Sequence, residues 1–318
     1  MKKKKLLICG ATGFIGRNLA EYFSEIGEYE VFGTYFKSEP YNNEKIKMLY
    51  ADLRNNEAVR KTINGKDIVI QAAATTSGSK DIVTRPYIHV TDNAVMNSLI
   101  LREVFDQGIK HFIFPSCTIM YQPSEIPLKE EDFNANDEII GNYFGAGWTK
   151  VYTEKMCEFF SRLGRTKHTV IRHSNVYGPY DKFDLEHSHV FGATMTKVLN
   201  SKDGKITVWG NGEEKRDLLY VGDLVNFIEL SINNQQDKFK LYNLGCGKAI
   251  SVRGLVEKII GISNKDIRLE YDTSKPTIKS NILIDSSKVK EELSWKPITS
   301  LEEGIKKTMD WYNKNINS

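Results

Sequence analysis

The first half of the chain alternates short apolar runs with longer stretches whose apolar residues recur every three to four positions. The runs Lys5–Cys9, Tyr29–Phe36, Ile46–Tyr50, Asp67–Ala72 and Lys110–Ser116 predict strands. The stretches Ile15–Ile26, Asn56–Ile63 and Val90–Gln107 predict helices between them. Strand–helix alternation implies right-handed crossovers, and therefore an α/β fold with a doubly wound, Rossmann-type parallel sheet. Runs that are apolar on both faces suit strands covered by helices on each side. The rhythm continues through a helix at Trp148–Leu163, a strand at Thr169–Ser174 and a helix at His189–Leu199. Beyond it, short strands mix with helices at Val221–Ile232, Val252–Ile260 and Leu301–Tyr312, which predicts a smaller mixed C-terminal lobe.

Composition narrows the picture. With 44 basic and 41 acidic residues in 318, the net charge is only +3, too small an excess to argue for nucleic acid. The run Lys2–Lys5 leads straight into Leu6-Leu7-Ile8-Cys9, so it reads as the solvated entrance to a strand and not as a detached basic arm. Cys9, Cys117, Cys157 and Cys246 are scattered without a C-x-x-C pair, which suggests neither a metal site nor a disulfide framework. No apolar stretch approaches membrane-spanning length, and the N-terminus lacks a signal-peptide pattern. The expectation is a cytoplasmic protein that does not enter a membrane.

The first chemical signal is Gly10-Ala11-Thr12-Gly13-Phe14-Ile15-Gly16, between the first strand and the first helix. Glycine suits a tight turn, close approach of backbone to a pyrophosphate, and close packing of helix on strand. The helix N-terminus then offers unpaired N–H groups to phosphate. Asp52-Leu53, after the third strand, is placed for adenine, and Ala72-Ala73-Ala74, after the fourth, leaves room for a cofactor along the backbone. The second strand ends Thr34-Tyr35-Phe36-Lys37 without the acid that would hold a ribose 2′-hydroxyl. Lys37, with Arg17 nearby, therefore predicts NADP(H). The competing register places the relevant acid at Glu28 or Glu30. Residues 1–174 are then mainly the NADP-binding domain and 175–318 mainly the substrate lobe, the two interleaved because no linker separates them.

Further motifs carry a resemblance. Asn175-Val176-Tyr177-Gly178-Pro179, Trp209-Gly210-Asn211-Gly212 and Arg216-Asp217 follow the glycine loop in the order seen in extended short-chain dehydrogenase/reductases, the NAD-dependent epimerase/dehydratase group. Ser116-Cys117-Thr118, Lys155-Met156-Cys157-Glu158, Ser188-His189-Val190, Val208-Trp209-Gly210 and Ser274-Lys275-Pro276 resemble its GDP-fucose synthase branch. The resemblance spans nearly the whole chain.

It implies a Tyr-x-x-x-Lys pair in which the tyrosine exchanges a proton with the sugar oxygen. Lys150 fits the lysine, but Ala146 stands at the tyrosine position, and Tyr143 is seven residues from Lys150. Impaired turnover, another acid, or binding without catalysis would each follow. The serine or threonine after the fifth strand corresponds to Ser116, Cys117 or Thr118. Spacing from Tyr121 favours Cys117, although a free cysteine is more often buried structure. Cys117 and His189 would be the pair that moves protons beside a carbonyl if epimerisation accompanies reduction. On the substrate side the resemblance implies Asn175 and Arg216 for sugar and diphosphate, Val190 and Trp209 for the base, and Lys279 in place of a usual arginine. Arg216 paired with Asp217, and Trp209 simply buried, are the alternatives. The implied activity is NADPH-dependent reduction of the C4 ketone of a GDP-linked 4-keto-6-deoxy sugar by a homodimer. An NAD-dependent 4-epimerase and an inactive nucleotide-binding protein are the rival expectations.

Overall fold

The computed structural model describes residues 3–76, 84–274 and 281–316. Seven parallel strands form its main sheet: β1 (Lys4–Cys9), β2 (Tyr29–Tyr35), β3 (Ile46–Tyr50), β4 (Ile68–Gln71), β5 (His111–Pro115), β6 (Lys167–His173) and β10 (Phe239–Leu244). Their order, β10-β6-β5-β4-β1-β2-β3, reverses between β1 and β4, which opens a crevice at the carboxyl ends of the strands. The alternation along β1 explains the layers. Leu6 and Ile8 enter one core with Leu19, Phe23, Phe227 and Ile228. Leu7 and Cys9 enter another with Val59, Ile100, Val104 and Cys157. A strand buried on both faces has no polar side to alternate, so its sequence is a continuous apolar run.

The helices on these faces are α1 (Phe14–Glu25), α2 (Asn56–Ile63), α3 (Thr91–Asp106), α4 (Phe144–Leu163) and α6 (Val221–Asn234). Sequence from beyond residue 174 returns to the sheet through β10, which pairs with β6 from Phe239↔His168 to Leu244↔His173. A second sheet joins β7 (Asn175–Tyr177), β9 (Lys215–Tyr220) and β11 (Ala249–Ser251), and β8 (Lys205–Trp209) pairs with β12 (Arg268–Asp272). These pack with α5 (Val190–Asn200), α7 (Val252–Ser263) and α9 (Leu301–Asn315) around Phe191, Met195, Leu255, Ile305 and Tyr312. Among the described residues no helix is long and apolar enough to cross a membrane.

One boundary differs in a way that matters. The helix expected from Trp148 begins at Phe144, so position 146 lies on its first turn. Gly145 and Gly147 hide that start because both are poor helix formers. They are there for packing: a Cβ on Gly145 would meet Val90 Cγ2 at 2.7 Å, and one on Gly147 would meet Ile139 Cδ1 at 2.9 Å.

Candidate active site

The glycine loop is built as a cradle. Gly10 takes a φ of +76°, and a Cβ there would lie 2.7 Å from the Ala73 Cα. A Cβ on Gly16 would lie 2.1 Å from the Gly10 carbonyl oxygen. Backbone bonds from Gly13 to Gly10 (3.0 Å) and from Ala11 to Thr34 (2.9 Å) fix the turn. Gly13 is the N-cap of α1, with no side-chain cap and no acid in the first turn. The helix therefore presents its unpaired N–H groups and positive dipole end to an anion. Thr12, Phe14 and Ile15 are partly exposed around it. These features fit a dinucleotide pyrophosphate.

Glu30 lies at the amino end of β2, away from the carboxyl ends that open the crevice, paired with Lys5 in register and with Lys47 at 2.5 Å, so it cannot mark the ribose. Lys37 is exposed beyond the end of β2, and its charge helps hold the Asp52 carboxyl below the usual carboxylate range, after the larger effect of hydrogen bonds from Arg54. Arg17, by contrast, is committed. It bonds Glu21 at 3.1 Å and stacks between the rings of Tyr41 and Tyr180, with its guanidinium 4.1 and 4.2 Å from the two centroids. Leu53 turns its side chain into the core, leaving only its backbone for adenine. Ala72 and Ala73 are partly exposed and Ala74 is exposed.

At the carboxyl end of β5, Pro115 makes its last pair with Ile171 of β6, and Cys117 and His173 each follow two residues later. Ser116 is buried and donates its hydroxyl to Glu154 at 2.6 Å; Glu154 in turn holds Arg172 at 2.7 Å. Its hydroxyl is turned away from the crevice. Thr118 is also buried, whereas Cys117 is partly exposed. Lys150, on α4, reaches the same edge, with its ammonium 3.4 Å from the Pro115 carbonyl and over the Phe114 ring. Burial raises the Cys117 thiol pKa, and the Lys150 charge opposes the rise. Burial, opposed by the hydrogen bond to the Ser174 carbonyl and aided by the Lys150 charge, takes the His173 pKa down to about 4.

Ala146 contributes only a methyl group here. One turn earlier Tyr143 is partly exposed, packed beside Met120, Tyr121 and Ile139. Burial raises the pKa of its phenol, the Arg216 charge lowers it, and Cys117 raises it. The phenol therefore sits within electrostatic reach of the residues that follow β5 and of β9. Sequence spacing from Lys150 had set Tyr143 aside.

On the far wall, Arg216 and Asp217 face opposite ways. The Asp217 carboxylate accepts from the Cys246 and Gly247 N–H groups at 2.9 and 3.0 Å, and burial raises its pKa to about 6. Asn175 is exposed and donates to the Asp217 carbonyl at 3.1 Å. His189 is the exposed N-cap residue of α5, with no side-chain cap bond, and desolvation followed by the Lys182 charge lowers its pKa. Val190 is partly buried, and Trp209 is 51% exposed, which excludes a core role for that ring. Lys279 lies outside the described residues. Asp181, which sequence reasoning passed over, is buried with no partner for Oδ2 among the described residues, and burial raises its pKa to about 7.

Comparison with known proteins agrees with this geometry. A GDP-L-fucose synthase of Azorhizobium caulinodans is 29% identical over 320 residues, covering 98% of this chain and 97% of that protein. A GDP-L-colitose synthase of Yersinia pseudotuberculosis is 26% identical, covering 99% of both. Among solved structures, the UDP-glucose 4-epimerase of Thermotoga maritima with UDP-glucose superposes with a TM-score of 0.86 at 27% identity, covering 98% of this chain and 99% of that one. Residues 6–245 match the model of the NAD dependent epimerase/dehydratase family, and with the glycine cradle at the head of the sheet and Lys150 at the carboxyl end of β5, the chain belongs to that family.

Proposed function

We propose that this protein reduces the C4 ketone of a GDP-linked 4-keto-6-deoxy sugar with NADPH. The observation that carries the reading is similarity along almost the full chain to two GDP-sugar synthases. The cradle and the crevice support it. Gly10, Thr12, Gly13, Phe14, Ile15 and Gly16 would hold the pyrophosphate, Asp52 and the Leu53 backbone the adenine, and Ala72, Ala73 and Ala74 the run between them. Lys37 would meet the 2′-phosphate. Bound there, the dinucleotide supplies hydride for the ketone carbon.

The chain's own residues do the rest. Lys150 places a cation at the carboxyl end of β5, where it orients the ribose and favours negative charge on the sugar oxygen. Cys117 stands at the position that contacts that oxygen; Ser116 and Thr118 are turned inward. Arg216 and Asn175 grip the diphosphate and sugar, a task suited to a guanidinium fork. Val190 and Trp209 frame the base; Lys279, which lies outside the described residues, is proposed for the anion site on the sequence resemblance alone. Cys117 and His189 form the pair that would enolise the ketone at C3 or C5. Ala146 has no proton to give, so turnover is slower than with tyrosine there. We also propose that the chain forms a homodimer through the exposed apolar residues Val95, Tyr152 and Phe159 of α3 and α4.

The test is NADPH oxidation with a GDP-linked 4-keto-6-deoxy sugar, with product stereochemistry and solvent deuterium uptake at C3 and C5 read by NMR. Oxidation with a 4-hydroxy product is the expected result. No oxidation by the wild type or by Ala146→Tyr overturns the reading. A 4-epimerase that retains NAD is the second reading, favoured by the structural likeness to UDP-glucose 4-epimerase. Dinucleotide that stays bound through purification, with C4 inversion and no net oxidation, would select it.

A further inference from the structure

From the position of Tyr143 at the N-cap of α4, three residues before Ala146 and packed against Met120 and Tyr121 of the segment that follows β5, we infer that its phenol is the proton donor of this chain, replacing the hydroxyl missing at position 146; this rests on the reductase reading above. The two positions are three apart at the start of α4 and share a helix face, so a side chain at 143 stands next to the gap left by the Ala146 methyl. Tyr143 is the N-cap of that helix, its backbone N–H bonded to the Ile140 carbonyl at 2.7 Å. Its ring is braced by the cluster of Met120, Tyr121 and Ile139. The loop after β5 runs against the same turn: a Cβ on Gly147 would lie 3.8 Å from the Ile119 carbonyl oxygen. Among the described residues the Tyr143 hydroxyl makes no hydrogen bond, while the other buried tyrosine of this cluster, Tyr121, bonds Arg172, Asn243 and the Lys129 carbonyl. A phenol that is partly exposed in the crevice and unpaired is available to a ligand.

The chemistry balances without a further reactant beyond the dihydronicotinamide that the proposed activity already uses. Hydride bonds to C4 of the sugar, and the π pair of the ketone moves onto oxygen. The Tyr143 O–H bond breaks and its proton bonds to that oxygen. The phenolate left behind takes a proton from water. Burial keeps the phenol protonated at neutral pH, as a donor must be, while Arg216 and the positive end of the α4 dipole favour the transient phenolate. Lys150 is seven residues away, about 10 Å along the helix axis, so it acts on the substrate and cofactor and not directly on this phenol.

The test is a four-member cycle: wild type, Tyr143→Phe, Ala146→Tyr and the double variant, assayed by single-turnover NADPH oxidation with calorimetric binding of GDP. Removing a positioned general acid lowers the rate by about 10²–10⁴-fold. The expected result is a loss of that size in kcat for Tyr143→Phe, with GDP binding unchanged and the basic limb of the kcat–pH profile gone. In the Ala146→Tyr background the same substitution should have little effect, because the donor has been relocated. An equal loss in both backgrounds, or a loss confined to KM and GDP binding, would mean that Tyr143 only shapes or binds, and would overturn the inference. So would an inactive wild type beside an active Ala146→Tyr. Inactivity of all four removes the reductase reading and the inference with it.

Discussion

Replacing Arg172 with methionine is expected to cost about 3–5 kcal/mol of stability, the usual penalty for stranding one member of a buried ion pair. Arg172 on β6 is 5% exposed and Glu154 on α4 is 3% exposed. The guanidinium donates to both carboxylate oxygens, from Nε at 3.1–3.3 Å and from Nη2 at 2.7 Å. It also donates to the Tyr121 hydroxyl at 2.9 Å and the Glu130 carbonyl at 3.2 Å. Without it, Glu154 keeps only the Ser116 hydroxyl as a partner among the described residues, and a carboxylate cannot stay ionised in such a site without cost. Tyr121 loses less, since Asn243 and the Lys129 carbonyl remain. The assay is urea unfolding of wild type, Arg172→Met, Glu154→Leu and the double variant. Each single change strands a polar partner, whereas the double change strands none but Ser116. The double variant should therefore be at least about 2 kcal/mol more stable than the sum of the singles implies. Additivity within about 0.5 kcal/mol, or a loss below about 1 kcal/mol for Arg172→Met, would refute the argument.

Three further outcomes follow from individual sites. The Asp181 pKa in the folded chain, about 7, lies above its ordinary 3.8. Between those values the unfolded chain binds fewer protons than the folded one, so this group makes stability fall as pH rises through the window and leaves it level above. Asp181→Asn should thus raise the urea midpoint at about pH 8 and leave it nearly unchanged at about pH 4; a pH-independent effect would contradict this. At the adenosine end, Lys37→Ala should weaken NADPH about tenfold or more relative to NADH in fluorescence titrations, the scale of one lost charged hydrogen bond. Arg17→Ala should leave that ratio alone, because its guanidinium is already held by Glu21 and two tyrosine rings. Gly16→Ala should abolish dinucleotide binding in the same titration, since its Cβ would overlap the Gly10 carbonyl oxygen; unaltered affinity would show that the loop can open.

The sheet was legible because its strands are buried on both faces and the helices between them carry apolar stripes; Ile46–Tyr50 and Asn56–Ile63 coincide with the observed elements residue for residue. The glycine loop was legible because its glycines are required by contacts only backbone can make. The start of α4 was not, since Gly145 and Gly147 lower helix propensity in exchange for close packing against Val90 and Ile139. Tyr143 was discounted because spacing along a helix relates it to Lys150, whereas the residues it packs against, Met120 and Tyr121, follow β5 much earlier in the chain. His173 and Asp181 flank the Asn-Val-Tyr-Gly-Pro segment and had only that adjacency to recommend them. What distinguishes them is depth in the fold, which one sequence does not record. Arg17 shows the converse, a cation near the expected phosphate whose aromatic partners, Tyr41 and Tyr180, lie far along the chain.

The balance of charge in the crevice bears on the ligand independently of any motif. Three cations reach it: Lys150 at the end of β5, Arg216 on β9, and Lys182, whose ammonium crosses to the Thr76 carbonyl at 3.0 Å. Several carboxyl groups near them are compensated where they stand. Glu154 is matched by Arg172, Asp217 is held by two backbone N–H groups behind Arg216, and Asp181 is half protonated near neutral pH. A crevice that gathers three cations attracts an anion, and low-dielectric walls strengthen that attraction. Two anionic groups, one at the glycine cradle and one near Arg216, would have to be present together, as a dinucleotide and a diphosphate-linked sugar would be. Ligand affinity at the Arg216 end should therefore fall with added salt in wild type and lose part of that dependence in Arg216→Gln, whereas a neutral sugar alone would show no salt dependence in either.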